Sequence, residues 1–458
     1  MKSGERGEKA FFREAVGELR ISGFSQESGK RSKRFSNSLP VTDQLLAGRL
    51  REHNFMDTVV AAVFAAVYFA MMLGGIPWSA VDRAGVALLG AIALLAARRI
   101  SPESAWKAVD VPTISLLFGL MVVSAQLRLS GFYTRVGRRL AEMGVSPQML
   151  LAILIGVAGL LSAVLANDIV CLAIAPVLID GCAQRGLEPT PFLLGLACAA
   201  NVGSAATLIG NPQNMLIGQT LHLSFTRYLF MASPPVLAGL IVVWLVIRCS
   251  VAGRWEGPIR AVQAPENHFN TWQVCKGLGV VTLLVLAFLF TSWPRDVLAL
   301  CAAGILLSSR RMASHDILGL VNWDILILFI GLFIVNHVVE TSGMLSRGIA
   351  FMEGAGIHLK SLPWLFGLTV LLSNLVSNVP AVMLLLKAVP GAATGPTLAL
   401  ASTFAGNLLL LGSIANLIVV EQASRLDVHI SWRKHASIGV PVTALTLALA
   451  AGWLWVLR

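Results

Sequence analysis

Charge is scarce in this sequence. Of its 458 residues only 13% are Asp, Glu, Lys or Arg, against 56% hydrophobic, and the mean hydropathy is +0.75. So few charges cannot cover the surface of a soluble protein of this length, which excludes an ordinary soluble globular chain. Cysteine is sparse as well. Cys171, Cys182, Cys198, Cys249, Cys275 and Cys301 form no CxxC pair, so neither a zinc site nor a disulfide framework is supported, and the thiols read as small apolar fillers. There is no HExxH, no GxSxG and no aspartate pair suited to hydrolysis within a membrane, which argues against an enzyme. Ser28-Gly29-Lys30 falls short of a phosphate loop: Gly23 lies one residue too far away and Arg31 stands where Ser or Thr is needed. The chain therefore reads as carrying no ATPase. No apolar core of about 7–15 residues precedes Met56, so a cleavable secretory signal is not expected either.

What is present is apolar sequence in long blocks, such as Val59–Leu73 and Val280–Phe290 with their flanks. Blocks of about 18–20 residues match a hydrocarbon core of ~30 Å at 1.5 Å per residue. About ten such blocks occur, with two shorter broken ones. At that depth only a helix satisfies its backbone within one segment. The expected class is an all-α membrane protein, a polytopic helical bundle of about ten spans. The net charge of +11 gathers in the N-terminal segment and in the loops between blocks, so it points to lipid headgroups and not to nucleic acid. Residues 1–53 hold eleven basic and seven acidic residues, including Lys30-Arg31-Ser32-Lys33-Arg34, and read as a solvated, partly disordered basic tail, with Met56 an alternative start.

Two stretches align at a constant offset. Ala97-Arg98-Arg99 matches Ser309-Arg310-Arg311, Phe118-Gly119-Leu120 resembles Ile330-Gly331-Leu332, and Ser130-Gly131 matches Ser342-Gly343. Leu160-Leu161-Ser162 then meets Leu371-Leu372-Ser373, and Asn167 meets Asn378. Later, Asn201 is paired with Asn407, Gly210 with Gly412 and Asn214 with Asn416. Each half reads as three spans, an amphipathic stretch, a broken hairpin and two more spans. Five crossings per half is odd, so the second half enters from the opposite side, the inverted-repeat plan of secondary transporters. Repeat 1 is expected over 54–250, a charged, Pro-containing linker over 251–273, and repeat 2 over 274–458. The Arg128, Arg135, Arg138 and Arg139 group and the basic tail argue for opposite orientations, and the sequence leaves both open.

Four strings place polar or helix-breaking residues inside apolar sequence. In the first, Leu161 to Pro176, Asp168 follows Asn167 with apolar runs on both sides. A carboxylate at mid-membrane costs about 2.5–3.5 kcal/mol, so a cation, a proton or a water-filled cavity must offset it. A helix–turn–helix hairpin with its tip at Asn167-Asp168 explains both runs. The second string, Ser373-Asn374-Leu375-Val376-Ser377-Asn378-Val379-Pro380, sits at the matching place and reads as a second tip, with Pro380 in the first turn of a new helix. The third and fourth run from Asn201 through Gly203, Ser204, Thr207 and Gly210-Asn211-Pro212-Gln213-Asn214, and from Gly406-Asn407 through Gly412-Ser413 to Asn416. Such residues unwind a helix, and unwound backbone offers carbonyls to Na+ and N–H groups to an anion. Tight helix packing would account for Gly203 and Gly210 on its own.

These four strings resemble the ion transporter superfamily, which includes the divalent anion:sodium symporters, citrate transporter-like permeases, arsenite permeases and NhaD-type sodium/proton antiporters. The resemblance covers about residues 57–458. It implies a scaffold domain, a moving transport domain, hairpins meeting unwound helices at mid-depth, an elevator-like movement and a homodimer. Against the Ser-Asn-Thr tips of the sodium–carboxylate symporters, the tips here are Ala166-Asn167-Asp168 and Ser377-Asn378-Val379, so the asparagines carry over and the threonines do not.

The function expected is secondary active transport of a small anion, a carboxylate or inorganic oxyanion, coupled to Na+ or H+ across the cell's inner membrane. Alternatives are a Na+/H+ antiporter, an arsenite-type efflux permease or a passive channel. Substrate is expected on Asn167, Thr207, Asn211, Asn214, Ser377, Asn378, Ser413 and Asn416. The coupling ion is expected on Asp168, with Asn167, Asn201, Gly203, Asn378, Asn407 and Gly412. No cofactor or bound metal beyond Na+ is expected. None of the four strings holds an arginine, and Lys387 reads as snorkelling to an interface. An anion would rely on half-helix N-termini, each contributing about 0.3–2 kcal/mol, and on a co-bound cation.

Overall fold

The computed structural model describes residues 41–76, 79–257, 269–389 and 391–457. The chain divides into two units, Met1–His53 and Asn54–Arg458. Of the first, the helical backbone from Val41 onward is described, so the expected tail lies outside the described residues up to position 40 and is helical after it. Residues 258–268 of the expected linker also lie outside. Among the described residues the secondary structure is helical, with two isolated bridges, Gly75 to Asp82 and Leu187 to Glu256.

Among the described residues seven helices are long and apolar enough to cross a bilayer, and five shorter apolar helices accompany them. The protein is a polytopic helical membrane bundle. The helices follow one order twice. In the first pass α1 (Val41–Met72), α2 (Arg83–Ala96), α3 (Pro102–Ala108), α4 (Val111–Leu129) and α5 (Phe132–Ala141) lead to a hairpin of α6 (Pro147–Val164) and α7 (Asn167–Gln184). Then come α8 (Thr190–Ser204), α9 (Pro212–Thr220) and α10 (Phe225–Val251). The second pass runs α11 (Thr271–Phe290), α12 (Arg295–Leu307), α13 (Ser314–Leu318), α14 (Trp323–Thr341) and α15 (Met344–Gly354), then the hairpin α16 (Leu362–Val376) and α17 (Asn378–Ala388). It closes with α18 (Gly395–Ala405), a 3-10 turn at Leu410–Gly412, α19 (Ile414–Arg425) and α20 (Trp432–Val456).

Local chemistry sets the boundaries. Asp110 caps α4 through Thr113 N–H, and Asn322 caps α14 through Ile325 N–H, at equivalent places in the two halves. The next turn needs a left-handed residue, and both halves use glycine there, Gly131 at φ 81° and Gly343 at φ 72°.

The halves are interlocked. A Cβ on Gly119 of α4 would sit 2.6 Å from the carbonyl carbon of Ala299 in α12, and one on Gly331 of α14 would sit 2.6 Å from that of Ala87 in α2. Both members of these contacts differ by the offset read in the sequence, so the second contact repeats the first with the roles of the halves exchanged. Small residues permit this close backbone crossing, as is usual between membrane helices.

Candidate functional site

Each hairpin turns at a polar residue that begins its returning helix. In the first, α6 ends at Val164 and α7 starts at Asn167, with Asp168 in its first turn. The N–H of Ala166 at this tip donates to Ser124 Oγ on α4 at 3.3 Å. In the second, α16 ends at Val376 and α17 starts at Asn378. Ser377 between them has φ 80° and ψ 160°, a region that is essentially glycine's own. Here the neighbouring carbonyl of Pro380 accepts from Tyr68 Oη at 3.5 Å, and Tyr68 also donates to Asn336 Oδ1 of α14 at 2.9 Å. Ser124 and Asn336 occupy equivalent positions, so each hairpin end is linked to a polar group on the corresponding helix, directly in the first half and through Tyr68 in the second.

The unwound stretches are stitched by asparagine. Asn211 caps α9 by accepting from Asn214 N–H at 2.9 Å. Asn214 Nδ2 donates back to the carbonyls of Thr207 at 3.0 Å and Ser204 at 3.4 Å. In the second half Ser413 caps α19 through Ala415 N–H, and Asn416 Nδ2 donates to the carbonyls of Gly406 at 2.8 Å and Leu409 at 3.3 Å. These pairs fall at one fixed spacing, which makes Thr403, and not Asn407, the counterpart of Asn201. The expected pairing of Asn201 with Asn407 is corrected accordingly: the two are hydrogen-bond partners across the molecule. Asn201 Nδ2 donates to Asn407 Oδ1 at 2.8 Å and to Asn416 Oδ1 at 3.1 Å, while Ser413 Oγ donates to Asn201 Oδ1 at 2.7 Å. Buried Asn201 is the knot that joins the two broken helices.

Both tips and both breaks face one small cavity of about 40 Å³. From the first half it is lined by Asn167, Asp168, Asn201, Ser204, Asn211, Pro212 and Gln213, and from the second by Ser377, Asn378, Val379, Thr403, Gly412, Ser413, Ile414 and Ala415. Asp168 is the carboxylate among these residues, and no lysine, arginine or histidine is among them. Asn378 Oδ1 is buried with no protein partner, an acceptor left open beside the cavity. Both returning helices start there, so their N-terminal N–H groups add positive potential.

Of the residues expected from sequence, Asn167, Asp168, Asn201, Asn211, Ser377, Asn378, Gly412 and Ser413 line this cavity. Thr207, Asn214, Asn407 and Asn416 stand behind it. Thr207 Oγ1 donates to the carbonyl of Ala163, tying the first break to the first hairpin. Gly203 is a packing position, since a Cβ there would lie 2.3 Å from the carbonyl oxygen of Gly159 on α6. Lys387 is half-exposed, and its Nζ pairs with Glu340 Oε2 at 2.8 Å. Ser204, Gln213 and Thr403 were missing from the expected set. Gln213 Nε2 and Asn211 Nδ2 both donate to Thr403 Oγ1, at 3.4 and 3.3 Å. The signal for Thr403 was its place as a hydroxyl in the apolar run leading to Gly406-Asn407. Among the described residues no three of His, Cys, Asp and Glu gather to hold a metal ion.

Comparison with known proteins agrees with this arrangement. A family model described as "Citrate transporter" matches residues 66–405. The silicon efflux transporter LSI3 of Oryza sativa subsp. japonica is 28% identical over 85% of this chain and 96% of its own length. The inner membrane protein YbiR of Escherichia coli (strain K12) is 33% identical over 73% of this chain and 85% of its own. In fold, the chain is similar to the YdaH transporter of Alcanivorax borkumensis, with a TM-score of 0.52 and 14% identity, covering 88% of this chain and 97% of that one.

Proposed function

From a chain that belongs to the citrate transporter family, and is therefore a membrane transporter and not an enzyme, we propose a secondary active transporter of a small inorganic oxyanion, coupled to Na+ or H+ at Asp168. The observation that carries this reading is the cavity of about 40 Å³ shared by both hairpin tips and both broken helices. A small cavity lined by amides and hydroxyls suits a compact oxyanion with its coupling ion better than a tricarboxylate. Amides, hydroxyls and helix N-termini offer many hydrogen bonds but no fixed cation. A co-bound Na+ or a proton on Asp168 would supply the balancing charge, and transfer of each net charge adds about 2.3 kcal/mol per 100 mV of membrane potential. The rice relative is named as a silicon efflux transporter, and a small solute of that kind is proposed here too. The inner-membrane location named for the Escherichia coli relative is proposed here too. Repeats over 54–250 and 274–458, inverted and joined by 251–273, and movement as an elevator within a homodimer complete the proposal.

The test is uptake and efflux in proteoliposomes of silicate, arsenite, arsenate and citrate, each under imposed Na+ or pH gradients and measured by elemental or isotopic counting. Gradient-driven flux of a compact oxyanion is expected. Flux of citrate alone would overturn the size argument. A second reading, Na+/H+ antiport, draws on the lone carboxylate and the open Asn378 Oδ1 as cation ligands. Na+ flux exchanged for protons with no anion present would favour it.

A further inference from the structure

A second, larger cavity of about 800 Å³ lies away from the central one. Its walls come from the α9–α10 turn, the start of α16, the loop before α18 and the end of α20. Most of the lining is apolar, with Leu362, Leu365 and Leu454 prominent, and its charged groups are Arg227 and Lys360, joined by His222; no Asp or Glu is among the described lining residues. The hydroxyl of Thr397, 1% exposed, lines it without a protein partner.

The repeat provides an internal control. His222 and Asp427 both follow a helix end in the left-handed region, at φ 49° and 57°. Arg227 and Lys434 each donate a backbone N–H to a capping serine, Ser224 and Ser431. Ala393 and Glu188 stand at matching places before α18 and α8. The counterpart cavity, about 190 Å³, is lined by Glu188, Asp427, His429 and Lys434. At two equivalent positions, then, a carboxylate in one cavity is replaced by histidine or alanine in the other, and the fold does not require the all-cationic lining. Level with the larger cavity, Trp453 Nε1 donates to the Met231 carbonyl at 2.8 Å, and Trp455 and Trp364 are 75% and 46% exposed. Exposed tryptophans at the ends of spans mark headgroup depth.

We propose that this cavity binds one anionic phospholipid, its phosphate on Arg227 and Lys360 and an acyl chain among Leu362, Leu365 and Leu454. Cations at headgroup depth, an apolar interior and an open hydroxyl fit the two ends of such a molecule, and a soluble anion would leave the apolar walls empty. At about 1 kcal/mol per cation near an anionic lipid, the two together correspond to on the order of a 30-fold preference.

The full chain would be reconstituted in nanodiscs of phosphatidylcholine doped with phosphatidylglycerol, and retained lipid counted by native mass spectrometry. One phosphatidylglycerol kept per chain is expected, with retention falling roughly 30-fold in R227Q/K360Q. Both side chains are exposed, so this variant should fold, and its elution volume checks that. A second variant, L365W, fills the apolar part and should expel the lipid with both cations intact. Equal retention of the two lipids, or unchanged retention in R227Q/K360Q, overturns the proposal. So does inorganic phosphate that binds lipid-free protein and displaces phosphatidylglycerol, since the site would then belong to a soluble anion.

Discussion

At the break between α8 and α9 the chain uses Thr207, Gly210, Asn211 and Asn214; at the equivalent break between α18 and α19 it uses Leu409, Gly412, Ser413 and Asn416. The asparagine that stitches each break is shared, and most of what surrounds it is not. Thr207 ties the first break to Ala163 of the first hairpin, whereas Leu409 has no hydroxyl to do so and is 48% exposed. Gly210 is wedged against the carbonyls of Ser204 and Ser162, at 2.2 and 2.8 Å from an added Cβ, while Gly412 has 3.3 Å to its nearest neighbours. The tips differ in the opposite sense. The first carries Asp168 on relaxed backbone, and the second carries Val379 at the matching place beside the left-handed Ser377. At the tips and breaks, the hydroxyl tether and the acid thus lie on the first half's side, and the left-handed tip residue on the second's. A duplicated fold can keep its frame while its two copies specialise, one for holding charge and one for a tip held in a costly conformation.

The largest expected effect is at the acid. Asp168→Asn should lower ion-coupled flux in proteoliposomes at least about 100-fold with expression unchanged, because a charge-bearing ligand at a coupling site contributes several kcal/mol. Unchanged gradient dependence would remove Asp168 from coupling and erase the main chemical difference between the tips. Next come the two glycines. Gly210→Ala should destabilise by about 3 kcal/mol, through clashes with backbone that cannot yield, and Gly412→Ala by less than about 1 kcal/mol. Thermal unfolding in detergent, followed by tryptophan fluorescence, reads both, and equal losses would mean that the halves are equally tight. Thr207→Val should cost about 1 kcal/mol in the same assay through its lost bond to Ala163; no change would show the tether to be idle. The smallest effect is at the second tip. Ser377→Gly should raise stability by about 1 kcal/mol by relieving the backbone, whereas Ala166→Gly should lower it by about 0.5–1 kcal/mol. A loss in both would mean that the Ser377 side chain, and not strain, sets the second tip.

The membrane class, the repeat and both tips were legible because lipid penalises misplaced polarity: Asp168 and Asn378 have no business in apolar sequence unless something there receives them. The glycine–alanine crossings were visible only as matched letters, since their contact joins residues in different halves. The register of the second break misled. Aligning asparagine with asparagine put Asn201 opposite Asn407, and Thr403 went unnoticed because threonine is common in membrane helices. Spacing along the chain does not reveal which polar groups meet across the molecule, and Asn201 finds Asn407 and Asn416 only in three dimensions.

The crossings of Gly119 on Ala299 and of Gly331 on Ala87 bear on how the protein is made. When α4 leaves the ribosome, the helix it must embrace has not been synthesised, and at 5–20 residues per second the wait is roughly 10–40 s. During that delay the bilayer can occupy the vacant groove without harm, because acyl chains are as apolar as the helix that will displace them. Neither half holds its complete set of neighbours, so two separately translated pieces, severed between Gly257 and Phe269, should find each other in the membrane and restore what one continuous chain achieves.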